Sequence, residues 1–306
     1  MNKIWNDIKS NFKTGNSFTK LLYINIAFFL SYKILTVFGV FFIIENNSNF
    51  VHNYLSLPSE PDSFIRKPWT LISYMFVHQK FFHILFNLLW LHFGSKLFLQ
   101  YFTGKQLVST YILGGIFGGL IYILAFNIFP VFQSEQFIGN GAIGASASVL
   151  AIFIAIATYK PNYRVNLIFI GNTSIKYIAI FLVILDCSLM VEWDEDILEY
   201  KIGENVGGHI AHLGGALFGF IYIILLKKGT DLSVNFHNLL SYFNFSKKPT
   251  LTRVHKKRRS RKTDDDYRNE KANRQEKINF ILEKISKSGY DSLTKEEKEL
   301  LFKESK

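Results

Sequence analysis

Six apolar runs of membrane-spanning character fill the first three quarters of this chain, and they leave few folds open to it. A hydrocarbon core about 30 Å thick takes about 20 helical residues to cross. Within it, each backbone polar group needs a partner inside the protein, which restricts spanning segments to helices or closed barrels. The runs are Leu21–Ile44, Phe81–Leu99, Leu107–Ile128, Ala145–Tyr159, Ile175–Met190 and Gly207–Leu226. The expected fold class is therefore all-α, a six-transmembrane helix bundle with a cytoplasmic helical tail. Of 306 residues 49% are hydrophobic and 31 are Phe, yet the formal charge is +11. The two characters separate along the chain, with the basic charge crowded into the last quarter. The expected organisation is an N-terminal segment 1–20, a membrane body 21–228, and a basic tail 229–306.

Charge in the connections sets an orientation. Lys3, Lys9, Lys13 and Lys20 precede the first run, Lys96 and Lys105 flank the second-to-third connection, and Lys160, Arg164 and Lys176 occupy the fourth-to-fifth. The stretch Phe129–Ile143 has no Lys or Arg, and Val191–Val206 carries Glu192, Asp194, Glu195, Asp196, Glu199 and Glu204. Lys and Arg accumulate on the cytoplasmic side, so both termini are expected there. The first connection, Glu45–Lys80, then lies outside, with the apolar stretch Trp69–Val77 expected partly in the interface. Met1–Lys20 lacks the apolar core of a cleaved signal peptide. The single cysteine, Cys187, permits no internal disulfide.

In the tail, Phe236, Leu239, Leu240 and Phe243 recur at helical spacing and suggest a helix lying on the membrane. The run Lys256–Lys262 reads as a solvated positive tail against anionic lipid rather than a nucleic-acid site. Ile278, Ile281, Leu282 and Ile285 predict a helix broken at Ser288-Gly289, and Thr294-Lys295-Glu296-Glu297 reads as a capping box opening a second one. No internal repeat is visible.

Three polar fragments share one depth. With a rise of 1.5 Å per residue, Ser146 lies about 20 Å above the inner end of its run, His212 about 21 Å and His83 about 20 Å, with Asn87 one turn deeper. The run holding Ser146 is also too short to cross fully, so its N-terminus starts below the surface and aims free N–H groups at the serine. An ionisable group in a membrane helix is a functional hypothesis by default. Gly215 and Gly219, spaced i, i+4 after His212, allow close approach of another helix. The small-residue start of the Ser146 run is the obvious neighbour. Chemically, neutral His212 can take the Ser146 proton as the hydroxyl attacks a carbonyl. The Ser146 N–H, the Asn87 amide and the His83 ring can then donate to the oxyanion. Such a pair needs no third member.

These fragments resemble the rhomboid family of intramembrane serine proteases. The resemblance covers about Leu21 to Leu226. It rests on His78, His83 and Asn87, on Gly144-Ala145-Ser146, on Ala211-His212-x-x-Gly215-x-x-x-Gly219, and on Trp69 preceding His78 in the first loop. It implies a Ser146–His212 dyad open to the extracytoplasmic side and entry of a substrate transmembrane helix between spans two and five. It also implies no metal or cofactor, with Gly144 as the close-packing glycine before the nucleophile. A bacterial inner membrane is the location expected on the same basis, and transmembrane proteins are the expected partners. Four positions depart from the family pattern. Ala147 follows the serine where glycine is common, Leu150 replaces a ring-stacking aromatic, Thr70 replaces the arginine after Trp69, and Phe98 replaces a glutamate near the inner end of span two.

Other polar groups are assigned plainer roles. His78 is expected to tie down the first loop and His209 to bond a loop, since a metal pair would need further ligands. Asp186 is costly in a membrane unless partnered; the active-site cavity and the outer mouth are both open to it. Lys33 is expected to snorkel. Two other functions compete: an inactive relative that binds membrane helices, and a channel or transporter. The latter calls for polar residues at all depths and repeated discontinuous helices, whereas the polar groups here cluster in the outer half.

Overall fold

The computed structural model describes residues 2–41, 53–133, 141–167, 171–194, 199–203, 205–243 and 264–304. The basic run Lys256–Lys262 lies outside them. The chain divides into two compact units, 1–244 and 245–306.

In the first unit the helices are α1 (Asn2–Thr14), α2 (Ser17–Phe41), α3 (Pro61–Arg66), α4 (Thr70–Ser73), α5 (Phe81–Phe98), α6 (Gly104–Ile128), α7 (Ser146–Tyr159), α8 (Ile175–Ser188), α9 (Val206–Lys227) and α10 (Leu232–Phe243). All six apolar runs are helices with ends within a few residues of those expected. Among the described residues, α2, α5, α6 and α9 are long and apolar enough to cross a membrane. Helices α7 and α8 have 14 residues each, about 21 Å of rise and short of a full crossing. The all-α expectation holds for the bundle. It missed two antiparallel ribbons in the connections, β1 (Arg164–Leu167) with β2 (Gly171–Ser174) and β3 (Val191–Asp194) with β4 (Glu199–Ile202). Ribbons of four-residue strands leave too short an alternation to stand out beside helical runs.

Helix α7 is the axis of the bundle. Every residue from Ala147 to Ala157 is buried, as expected of a helix apolar on all faces. It packs against α5, α6 and α9. On α6, a Cβ at Gly118 would come within 2.9 Å of the Ala147 Cβ, and one at Gly114 would collide with the Ala151 Cβ. The departure at Ala147 is thus accommodated by a glycine on the neighbouring helix. Phe98 is fully buried and meets Phe102 with tilted rings at 4.5 Å, and Phe102 in turn meets Tyr159 at 4.8 Å. At the end of α5 where the resemblance implies a glutamate, this chain closes the bundle with rings. Lys33 on α2 is exposed, with its ammonium 5.7 and 5.6 Å from the Phe29 and Tyr32 rings.

The first-loop stretch Trp69–Val77, expected partly in the interface, is packed into the protein at Thr70 and Tyr74–Val77 and leaves Trp69 and Ile72 exposed. Buried in protein, irregular backbone can find partners. The Tyr74 hydroxyl donates to the Gly115 carbonyl at 2.6 Å, and the Tyr111 hydroxyl to that of Met75 at 3.2 Å. Thr70 closes its own turn by donating to the Lys67 carbonyl at 2.6 Å. Trp69 Nε1 donates to the Tyr54 carbonyl at 2.8 Å.

The expected amphipathic helix forms as α10, and it packs on α6 within the first unit rather than beginning a separate tail. Asp231 anchors its start. Its carboxylate accepts from the Ser233 N–H at 2.9 Å, the Gln106 amide at 3.0 Å and the Tyr222 hydroxyl at 3.2 Å. Burial alone would raise its pKa, but the bonds from Ser233, Gln106 and Tyr222 hold the carboxyl below the usual range.

The second unit contains α11 (Asp264–Ser288) and α12 (Lys295–Glu304). The break falls at Gly289, with φ +77. The expected capping box is present: the Thr294 N–H donates to Glu297 at 2.7 Å, and the Glu297 N–H to the Thr294 hydroxyl at 3.3 Å. Lys284 reaches across to Glu297 at 2.9 Å.

Candidate active site

Ser146 is the first residue of α7, and the chain leading to it is fastened to the first loop by successive hydrogen bonds. Ala142 and Leu57 exchange N–H···O bonds at 2.9 and 3.0 Å, the Gly144 N–H donates to the Tyr74 carbonyl at 2.9 Å, and the Ala145 N–H donates to His78 Nε2 at 3.3 Å. His78 Nδ1 lies 3.3 Å from the Phe76 carbonyl. One ring nitrogen accepts and the other faces an acceptor, so His78 is the neutral Nδ1–H tautomer. It lies outside the apolar helices. Burial, with His83 alongside, pushes its pKa down to about 4. Its expected role of tying down the loop matches these bonds.

Gly144 has φ +116, a conformation that favours glycine. A Cβ there would stand 2.7 Å from His83 Nε2 and 3.7 Å from Ser146 Oγ. The bare α-carbon is therefore where α5 and the start of α7 converge.

Helix α9 reaches the serine because its glycines let it. A Cβ at Gly215 would run into the Ala147 carbonyl, and one at Gly219 into that of Ala151. The two backbones lie in contact, one turn apart twice over. His212 Nε2 consequently hydrogen-bonds Ser146 Oγ. His212 Nδ1 lies 2.8 Å from Asp186 Oδ1 on α8, and His209 Nδ1 lies 2.7 Å from the same oxygen. An ionised carboxylate only accepts, so both Nδ1 atoms carry the proton. In neutral His212 this leaves Nε2 as the acceptor of the serine hydroxyl proton.

On α5, His83 and Asn87 face the same space. Asn87 Nδ2 donates to the His83 carbonyl at 2.9 Å, so one of the amide's two N–H groups is bound to its own helix and one is left for the cavity. The cavity, about 340 Å³, is lined by His83, Asn87, Ser146, Asp186 and His212 with an apolar wall of Phe82, Phe86, Trp90, Leu150, Phe153, Leu182 and Leu185. It can hold an extended apolar segment against a small polar cluster, the usual make-up of a binding site.

The family model for the rhomboid domain matches residues 66–229, more than half of the chain. The chain belongs to the rhomboid family. This rhomboid is 25% identical over 155 residues to "Presenilin-associated rhomboid-like protein A, mitochondrial" of Danio rerio, and 26% identical over 155 residues to "Presenilin-associated rhomboid-like protein, mitochondrial" of Mus musculus. Each alignment takes in 48% of this chain and 35% of the relative, so the chain matches about a third of those proteins' length. Their names are mitochondrial and give the expected bacterial membrane no support. Residues 261–306 match a second model, a family of unknown function.

The fold of this rhomboid brings together Ser146, His212, His83, Asn87 and Gly144, with Gly215 and Gly219 holding α9 in place and His78 beneath the loop. Two sequence readings need correction. His209 does not bond a loop; it meets Asp186. And the third ligand that the His209–His212 pair lacked in the sequence is supplied by α8: one atom each from Asp186, His209 and His212 lie within 4.8 Å of one another, a group that could hold a metal ion. The separations of 2.7 and 2.8 Å fit shared protons instead, because two ligands on one zinc at about 2.0 Å stand about 3.3 Å apart. Asp186 was the residue sequence reasoning left open. Its signal was present, since a carboxylate in an apolar helix needs a partner, but the partner lies on another helix.

Proposed function

We propose that this chain is an intramembrane serine endopeptidase that cuts peptide bonds in or near transmembrane segments of other membrane proteins. The observation that carries the reading is the Ser146–His212 hydrogen bond at the sunken start of α7, inside an apolar cavity. Ser146 Oγ attacks the carbonyl carbon while its proton passes to His212 Nε2 and the carbonyl electron pair moves onto oxygen. His212 then protonates the amine as the C–N bond breaks. Water hydrolyses the acyl-enzyme by the same route. The Ser146 N–H, the His83 ring and the free Asn87 N–H are the oxyanion donors, each typically worth about 3–4 kcal/mol in such sites.

In this reading the six apolar helices all take part in crossing the membrane. Both termini lie on the Lys- and Arg-rich side, and the cavity opens toward the opposite one. A substrate helix approaches between α5 and α8, whose outer faces are apolar: Phe82, Phe86, Phe181 and Ile184 are all exposed. No cofactor enters the mechanism. The test is cleavage of a single-span substrate by the full chain in liposomes. Ser146→Ala and His212→Ala should each abolish it at unchanged protein level. Residual cleavage in both variants rejects the assignment to Ser146 and His212, and a wild-type chain that cleaves nothing is left as a helix-binding relative without catalysis.

A further inference from the structure

We propose that Asp186 is a positioning residue for His212, making the site a Ser146–His212–Asp186 triad rather than a dyad. The inference rests on the protease reading and deepens it.

Three observations carry it. Asp186 is the single acidic residue in the six apolar helices α2, α5, α6, α7, α8 and α9, and its carboxylate meets the one imidazole that bonds the serine. A lone carboxylate at that depth is costly unless its oxygens are bonded. It is held from two sides by N–H donors, at 2.7 Å from His209 and 2.8 Å from His212, and its side chain is only 14% exposed. Finally, His212 needs something to hold it. Among the described residues, the only ring recorded against it is His209, edge-on at 5.7 Å, and Leu150 lines the cavity where a stacking ring would serve.

The chemistry follows from which nitrogen bears the proton. Asp186 Oδ1 accepts from His212 Nδ1, so the lone pair on Nε2 points at Ser146. When the serine proton arrives, the ring becomes an imidazolium beside a carboxylate that stays ionised throughout. No bond to Asp186 forms or breaks. His209 occupies the same oxygen from the other side and fixes the carboxylate between two rings.

The test is the labelling of Ser146 by a fluorescent fluorophosphonate in the full chain in liposomes. The maximal labelling rate is separated from the half-saturating probe concentration, and melting temperature is followed in parallel. Asp186→Asn should lower the maximal rate by about 100-fold or more, with the half-saturating concentration within about twofold and the melting temperature unchanged. Asp186→Glu should recover at least about a tenth of the wild-type rate, since it restores the acceptor. A wild-type rate in Asp186→Asn overturns the inference and leaves the dyad standing. A joint loss of rate and melting temperature that glutamate does not rescue also overturns it, by making Asp186 a strut. So does acceleration of wild-type labelling by EDTA that zinc reverses, which would give the three side chains to a metal. Wild-type protein that takes no label, or label that survives in Ser146→Ala, removes the protease reading itself and Asp186's role with it.

Discussion

His78 does not line the cavity, yet it sets where Ser146 stands. Its Nε2 accepts the N–H of Ala145, the residue just before Ser146, and it can do so only while neutral. Its pKa is lowered from 6.5 to about 4 by burial and then by the neighbouring His83. The unfolded chain therefore binds a proton there between those values while the folded chain does not, and stability falls as pH falls through that window. Thermal unfolding of the full chain in detergent should show a loss of up to about 3 kcal/mol between pH 6.5 and 4. His78→Gln keeps an acceptor that does not titrate, so its stability should fall less over the same range. An equal slope in both proteins would refute the assignment. Gly144 works at the same scale: its positive φ and the His83 ring over its α-carbon leave no room for a side chain.

Helices α7 and α9 meet backbone to backbone, and the site depends on that contact more than on any loop. Small residues on both sides, Ala147 and Ala151 facing Gly215 and Gly219, let the helices approach to where van der Waals packing is dense. A side chain at position 215 must displace the Ala147 carbonyl, and overpacking of this kind typically costs about 1–3 kcal/mol. Gly215→Val should move His212 off Ser146 and abolish fluorophosphonate labelling. Gly208→Ala lies seven residues, about two turns, before Gly215 on the same helix, with nothing within 4 Å of its added Cβ, and should label like the wild type. Equal behaviour of the two variants would show that the close contact does not position His212.

At the scale of the whole molecule, every residue of the candidate site belongs to the first unit, as does α10 with its Asp231 anchor. The second unit has its own small core around Ile281 and Leu293 and its own Lys284–Glu297 pair. A chain ending at Asn244 is expected to insert into membranes and to label at Ser146 at a rate within about twofold of the full chain, since every residue of the candidate site and of its packing lies in the first unit. A rate lower by tenfold or more would show that residues 245–306 act on the site.

The amino-acid sequence by itself determined the helices and the depth at which polar groups interrupt them. Apolar runs near 20 residues in a solvent that cannot hydrogen-bond suit helices, since a barrel strand crosses in about ten, and the helical rise then fixes heights. That is why Ser146, His212, His83 and Asn87 could be placed in one layer, and why the Gly215–Gly219 spacing named a close neighbour. The ring closure at Phe98 and the hydrogen-bonded burial of Tyr74–Val77 were not legible, because both depend on which helix lies next to which. The same holds for Asp186. Height along a helix is a local property, but azimuth around the bundle is not. Only the packing of α8 against α9 turned an unexplained carboxylate toward the histidine that hydrogen-bonds the serine.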